Sequence, residues 1–422
     1  MKDTSRKRTF ATTLGLLFIG GSGLALSGLS NAAEDEGSTT QASEEEKKPG
    51  FTTDSFEILP ELQLSAYYDD NIYATPRQEV SDYVGVFTPI LKVKSLWEEN
   101  SLNFDAGASL GRYADHSGEN YNDAWVTMDG SFSVGDNTSL FGGAGYSHKH
   151  EPRGSLESDR LAAEPTVYNV TDLRLGMRQG YEALTLRVAG TYQALAYDNV
   201  ERVDNRGTIY NGDRDRTVTG LGARASKRLD KSLSIYLQAF VNKRDYDDTV
   251  DVLGYDRDSK GYTASLGVTK KFGRNGKIDA YLGWLSQEYE DHRFDRVNTP
   301  NYAASLRWYP AKSYKLTASL NRTLGETTEV GSSGYLYTQF DTQLDKRISN
   351  NIVGYLNYGY GLVQYQDVNH DDVLNTVGLG LNYYMTKRIL ISGGYSYINN
   401  DSNIEFYEYT KNLLLVSLKA KF

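Results

Sequence analysis

Cysteine is absent from all 422 residues. Its absence excludes a disulfide framework, a thiol nucleophile, a thiolate-rich zinc site and the lipid-bearing cysteine of a lipoprotein. Long apolar runs are almost as scarce. A helical transporter needs repeated stretches of about 20 apolar residues, and the single such stretch lies at the extreme N-terminus. Histidine is limited to 5 residues, which leaves few bases for catalysis. What the chain has instead is 33 tyrosines, 14 phenylalanines, 4 tryptophans and 40 glycines. So much aromatic surface argues against disorder, and tyrosine on this scale requires a physical reason.

The first residues set the compartment. Lys2, Arg6, Lys7 and Arg8 precede a small, apolar stretch from Phe10 to Leu29, and Ser30-Asn31-Ala32 offers small residues at the positions a signal peptidase inspects. This pattern predicts a cleaved secretory signal over residues 1–32. Its removal takes four cations and Asp3 away and moves the net charge from −10 to −13. An acidic exported chain is not built to bind nucleic acid. Residues 33–55 are rich in Glu, Ser, Thr and Lys, with Glu34-Asp35-Glu36 and Glu44-Glu45-Glu46, and read as a flexible acidic periplasmic tail.

From Phe56 to Phe422 the chain alternates apolar and polar residues in stretches of roughly ten, the period of a strand with two different faces. Leu102, Phe104, Ala106, Ala108 and Leu110 show it, as do Leu184, Leu186, Val188, Gly190 and Tyr192, and Ile278, Ala280, Leu282 and Trp284. About eighteen such stretches follow one another. Short turns, as at Gly135 to Thr138, Leu229 to Ser232 and Thr386 to Arg388, alternate with long polar connections, as at Asp69 to Ser81, Glu151 to Pro165 and Asp198 to Arg214. The expected fold is all-β, a transmembrane antiparallel up-and-down barrel of about 18 strands in the outer membrane of a Gram-negative bacterium. A soluble sandwich would need a second apolar face to cover so long a meander. The last strand carries Leu414, Val416, Leu418, Ala420 and Phe422 on one face, an ending similar to the signal read by the barrel-insertion machinery. Lipids, lipopolysaccharide and that machinery are the expected partners.

In such a barrel tyrosine has two places. Tyr67, Tyr68, Tyr73, Tyr113, Tyr121, Tyr146, Tyr197, Tyr289, Tyr309, Tyr383, Tyr395, Tyr397, Tyr407 and Tyr409 fall near strand ends, where an aromatic girdle meets the headgroups. Tyr236, Tyr281 and Tyr355 fall in the polar phase of mid-strand and are expected to line the lumen. Strands about 4.8 Å apart and tilted by about 40° make an eighteen-stranded cylinder roughly 36 Å across, too wide for side chains to fill. Passage of a solute or polymer is the default function. The polar phase puts Arg174, Arg178, Arg187, Arg224, Arg228 and Arg244 on neighbouring strands and Asp105, Asp129, Asp341 and Asp345 elsewhere on the wall. Such segregated charge either orients polar solutes or pairs to stiffen the wall.

Signals for chemistry are weak, and no catalytic residue, metal ligand or cofactor is expected. Gly107-Ala108-Ser109-Leu110-Gly111 matches a nucleophile elbow in letters only, since Ser109 lies inside an alternating strand with no helix to follow. His116, His148, His150, His292 and His370 all fall on the long-loop side. Asp367 to Asp371 begins like a calcium loop, but Asp372 and Gly378 stand where Gly and Glu are needed.

Glu61 to Tyr73, with Asp69-Asp70-Asn71 at its end, Ser81-Asp82 and Thr88-Pro89, resembles the opening of the putative β-barrel porin 2 family. Arg112-Tyr113, Tyr121-Asn122-Asp123 and Gly145 to Glu151 are similar to its next segments. The resemblance implies export of an exopolysaccharide across the outer membrane, with periplasmic export components as partners, and carries no site residues over. Three readings follow: a pore for polysaccharide export, a general or solute-selective uptake porin, and an outer-membrane hydrolase using the histidine-bearing rim.

Overall fold

The computed structural model describes residues 49–273 and 275–422. The signal peptide expected over residues 1–32, and most of the tail, lie outside the described residues. Two residues of that tail, Phe51–Thr52, pair antiparallel with Ile58 and Glu57, and the Gly50 N–H donates to the Phe422 carbonyl.

Eighteen long strands follow among the described residues. They begin with β1 (Phe56–Asp69), β2 (Asp82–Ser95), β3 (Ser101–Tyr113), β4 (Tyr121–Gly135), β5 (Thr138–His150) and β6 (Val167–Gly180). The wall continues through β7 (Leu184–Tyr197), β8 (Arg216–Arg228), β9 (Leu233–Tyr246), β10 (Ser259–Phe272), β11 (Gly276–Tyr289) and β12 (Val297–Trp308). It ends with β13 (Tyr314–Gly325), β14 (Tyr335–Arg347), β15 (Ile352–Tyr365), β16 (Asp371–Tyr384), β17 (Ile389–Ser402) and β18 (Tyr409–Lys421). Each pairs antiparallel with its sequence neighbours, and β1 meets β18 from Glu61↔Lys421 to Asp69↔Leu413. The sheet closes on itself and leaves no edge.

The alternation that forms the strands also orients them. Leu175 is 72% exposed, Leu282 65% and Leu266 64%, all on one phase of their strands, as a lipid-facing band requires. At the short-turn end, side chains fix the reversals. The Asp230 carboxylate accepts the N–H groups of Ser232 and Leu233 at 2.6 and 2.9 Å, a local bond that replaces the ladder where the chain turns back.

On the inward phase, aromatic rings lie over glycines of nearby strands. A Cβ at Gly267 would sit 2.1 Å from the Tyr236 ring, and one at Gly380 or Gly394 2.4 Å from the Tyr355 hydroxyl. Glycine at these positions makes room for a ring laid flat against the wall.

The ladder is shortest between β12 and β13. β12 and β13 pair only from Trp308↔Leu316 to Ala303↔Asn321. Beyond that point Leu324 of β13 and Leu336 of β14 join Val297, Tyr289 and Phe294 in an apolar cluster. Leu324 and Leu336 lie on the outward phase of their strands, whereas Val297 and Tyr289 lie on the inward phase. The long-loop end of β13 and β14 therefore tucks inside the end of β12.

Candidate functional site

Two elements occupy the lumen. The first is the connection between β5 and β6, residues 151–166, whose base is closed by the Glu151 N–H donating to the Thr166 carbonyl at 2.7 Å. From there it crosses the barrel. Its Leu156 carbonyl accepts the Tyr365 hydroxyl of β15 at 3.3 Å, and its Gly154 carbonyl accepts the Tyr409 hydroxyl of β18 at 3.2 Å. The Glu157 carboxylate accepts the Thr328 N–H at 2.9 Å, just before β14. In an eighteen-stranded cylinder, β14 and β15 stand nine strands from β5 and β6, so this loop reaches the opposite wall.

Two further contacts stiffen it. Arg153 forks onto the Glu119 carboxylate at 2.7 and 2.8 Å, with both side chains nearly buried, and also donates to the Ala162 carbonyl at 2.9 Å. A buried bidentate pair of this kind fixes direction as well as position. Gly154 has φ +81°, in the left-handed region, and a Cβ there would approach the Ala74 Cβ to 2.7 Å.

The second element is the tucked end of β13 with residues 326–334. Arg244 of β9 donates to the Glu326 carboxylate, which also accepts the Tyr246 hydroxyl at 2.7 Å. Arg257 donates to the Ser332 carbonyl at 2.9 Å. The two elements meet at Glu157 and Thr328 and divide the lumen.

On the long-loop side lies a cavity of about 710 Å³, framed by Arg214, Arg216 and Arg257 and by Tyr168, Tyr197 and Tyr335. On the short-turn side lies a vestibule of about 1890 Å³. Its lining carries seven Arg or Lys residues against four Asp or Glu, so its field favours anions. The strongest feature there is a row. Arg178 of β6 is directly opposite Arg187 of β7, and Arg187 is directly opposite Arg224 of β8. Like charges at opposed positions destabilise a sheet. Rings and one carboxylate hold part of the row: the Arg187 guanidinium stands 4.5 Å from the Phe141 ring centroid, and that of Arg224 stands 3.5 Å from Tyr236 and 3.8 Å from the Asp279 carboxylate.

All thirteen residues expected to line the pore sit on the inward phase of their strands, but the structure uses them differently. Arg178, Arg187, Arg224, Arg228 and Asp341 border the vestibule. Tyr236 is 2% exposed, covered by Arg224, and donates to Asp279 at 2.8 Å, so it supports the arginine rather than meeting a solute. Arg174 lies two inward positions along β6 from Arg178, and Tyr281 stands opposite Gly267. Arg244, on β9, holds the tucked element through Glu326, and Tyr355 lies against Gly380 and Gly394. Three of the acids are committed to neighbours: Asp105 accepts the Trp125 indole N–H at 2.6 Å, Asp129 an Asn103 amide at 3.0 Å, and Asp345 a Gln343 amide at 2.6 Å.

The tyrosine girdle needs correction. Tyr121, Tyr289 and Tyr409 are buried rather than lipid-facing, and Tyr197 stacks on Tyr168 at 5.1 Å inside the lumen. Tyr407 stacks on His370 at 4.7 Å. The strand-end tyrosines among them lie on the inward phase. Proximity to the membrane boundary fixes height along the strand, and parity fixes the side. Tyr146, Tyr383, Tyr395 and Tyr397 are on the outward phase and exposed, as a girdle requires.

At the rim, His148 meets the Asn169 side-chain oxygen at 2.9 Å and His150 meets Asp123 at 2.8 Å. Among the described residues no serine hydroxyl is hydrogen-bonded to either ring. Asp367 has φ +64° and its carboxylate accepts the Asp295 N–H at 3.1 Å, as a turn residue does.

Glu157 gives the crossing loop a pH dependence. Burial in the lumen pushes its carboxyl up to about 7, against the pull of Arg214 and the Thr328 N–H. A carboxyl raised in the docked state favours docking when protonated, so the hold is strongest at pH 4 to 5 and weakens as pH rises through about 7. Single-channel records should show longer high-conductance periods at pH 8 than at pH 5.5. Glu157→Gln should flatten that dependence, and an equal slope in the variant would exclude Glu157 as its source.

A model of the family described as putative beta-barrel porin 2 matches residues 47–422. Among solved structures, the chain is similar to the outer membrane protein OpdK from Pseudomonas aeruginosa, with 13% identity and TM-score 0.45 over 86% of this chain and 99% of that one. It is similar to a BenF-like porin from Pseudomonas fluorescens, with 11% identity and TM-score 0.46 over 86% and 99%. The siderophore receptor PirA from Pseudomonas aeruginosa gives 9% identity and TM-score 0.46 over 86% and 80%. No curated protein matches.

Proposed function

The chain belongs to the putative beta-barrel porin 2 family, and from that membership we propose that it is a solute-selective porin, passing small anionic solutes across the outer membrane of a Gram-negative bacterium without chemistry of its own. The observation that carries this reading is the opposed row Arg178, Arg187 and Arg224 in a vestibule reached past a tethered loop. A row of like charges costs stability in the wall and produces a field that only an anion in the lumen can use. Export of an exopolysaccharide, implied by the family resemblance, asks for a bore that a polymer can thread. Residues 151–166 lie across that bore and are held at both walls. Residues 1–32 would serve to export the chain and be removed before the barrel inserts.

Reversal potentials across planar bilayers in a tenfold KCl gradient test the reading, with vesicle swelling in small anionic and neutral solutes as a second measure. Anion preference with faster entry of the anionic solutes is expected. Cation preference would overturn the proposal, as would loss of surface polysaccharide on deletion with unchanged solute entry.

A further inference from the structure

Three arginines line the cavity on the long-loop side, and two of them are neutralised. Arg214 grips Glu151 at 2.5 and 3.1 Å, and Arg257 pairs with Asp251 at 2.7 Å. Arg216 is the exception. It is 7% exposed, its Nη1 donates to the Arg214 carbonyl at 2.7 Å, and its Nε is buried with no partner. Among the described residues it forms no ion pair. A buried guanidinium without a counter-charge is costly, and one that borders a cavity is completed by an anion from that cavity.

The surroundings state what kind of anion. The Arg216 guanidinium stands 5.9 Å from the Tyr197 ring centroid and 5.6 Å from that of Tyr246, and both rings line the cavity. Tyr197 is already covered by the Arg214 guanidinium at 4.0 Å and stacked on Tyr168 at 5.1 Å, so the ring left to meet the apolar face of a ring carried by the anion is that of Tyr246. Asp123, His150, Asn211 and Thr327 set polar groups among the apolar Leu156, Ile209, Val252 and Leu253, a mixture that suits a ring with hydroxylated edges and an apolar face. The volume of about 710 Å³ fits one or two sugar rings and excludes a packed polymer.

We propose that Arg216, between Tyr197 and Tyr246, is the recognition residue of a binding site for a small uronate-type sugar acid, whose carboxylate meets the guanidinium and whose ring lies against Tyr246. The inference rests on the reading of the chain as an anion-selective porin and names the class of solute its outer compartment selects. A carboxylate accepts both edges of a guanidinium fork, which a neutral sugar cannot do.

Galacturonate, galacturonamide, galactose and benzoate, each added on the long-loop side of the purified protein in a planar bilayer, test this by blocking the current. Galacturonate should block at a concentration at least about tenfold lower than galactose or the amide, and Arg216→Gln should raise its blocking concentration by at least about tenfold, with Arg216→Lys in between. Equal block by the amide, stronger block by benzoate, or an unchanged blocking concentration in Arg216→Gln would overturn the proposal. Should the Gln variant lack the heat-modifiable folded form on a gel, the comparison of acid and amide on the unaltered protein decides alone. The reversal potential of the same membranes separates the two claims. Cation preference defeats the porin reading, whereas anion preference without galacturonate-specific block defeats only the assignment of Arg216.

Discussion

Excising residues 153–164 and joining the ends with a short Gly-Ser link should raise the single-channel conductance by about three- to tenfold. An eighteen-stranded cylinder is roughly 36 Å across at the backbone, and its own side chains leave a wide aqueous bore. What narrows that bore is the crossing loop, held at Leu156 and Glu157 by groups on the far side of the barrel and at Gly154 by Tyr409 of β18. The excision spares Glu151 and Thr166, whose backbone bond closes the base, and spares the bond between Glu151 and Arg214. It removes Arg153, which leaves the nearly buried Glu119 without its cation. Pairing Glu119→Gln with the excision avoids that buried charge. The wall does not depend on the loop, because its ladders run strand to strand and close between β1 and β18. Folding is checked by heat-modifiable mobility. A conductance unchanged in a folded variant would mean that ions pass elsewhere and that the loop is a brace rather than a constriction.

Much of the barrel was legible in the chain because a strand with lipid on one side and water on the other must alternate. Parity was also sufficient to turn Arg178, Arg187 and Arg224 to the same side. Their shared height was less accessible, since it depends on the register between β6, β7 and β8, and a slip of one residue reverses every side chain. The inward tyrosines were within reach. Tyr197 and Tyr289 lie in strands whose apolar residues are even-numbered, so their odd numbers alone point inward. The crossing loop was out of reach, because its sequence is that of a polar connection and its partners Thr328, Tyr365 and Tyr409 lie far along the chain. A surface loop and one folded into a polar lumen satisfy the same compositional rules. The unpaired end of β12 was likewise silent, although Pro300, which cannot donate to a ladder, sits within it.

Replacing Arg178 and Arg187 together with glutamine should lower the anion preference of the pore by roughly fivefold and, at the same time, make the barrel harder to unfold. The first effect follows from charge and distance. A unit charge about 7 Å from a permeating ion contributes about 0.6 kcal/mol in water, so two contribute about 1 kcal/mol, or roughly fivefold in partition. Salt screens some of this over a Debye length of about 10 Å at 0.1 M, and a low-dielectric wall concentrates what remains. The second effect has the opposite sign. Arg178 faces Arg187 and Arg187 faces Arg224 across adjacent strands, and relieving an opposed like-charge pair is worth about 0.2–1 kcal/mol. Arg224 is left in place because Tyr236 and Asp279 already support it, and its removal would strip the cover from a buried ring and leave Asp279 without its cation. The two measurements together discriminate between the roles of the row. Arginines that stiffen the wall would, when replaced, lower the unfolding temperature and leave selectivity nearly constant. Arginines kept for the solute would lose selectivity and gain stability, and only that pairing of signs is compatible with a row held in the wall against its own repulsion.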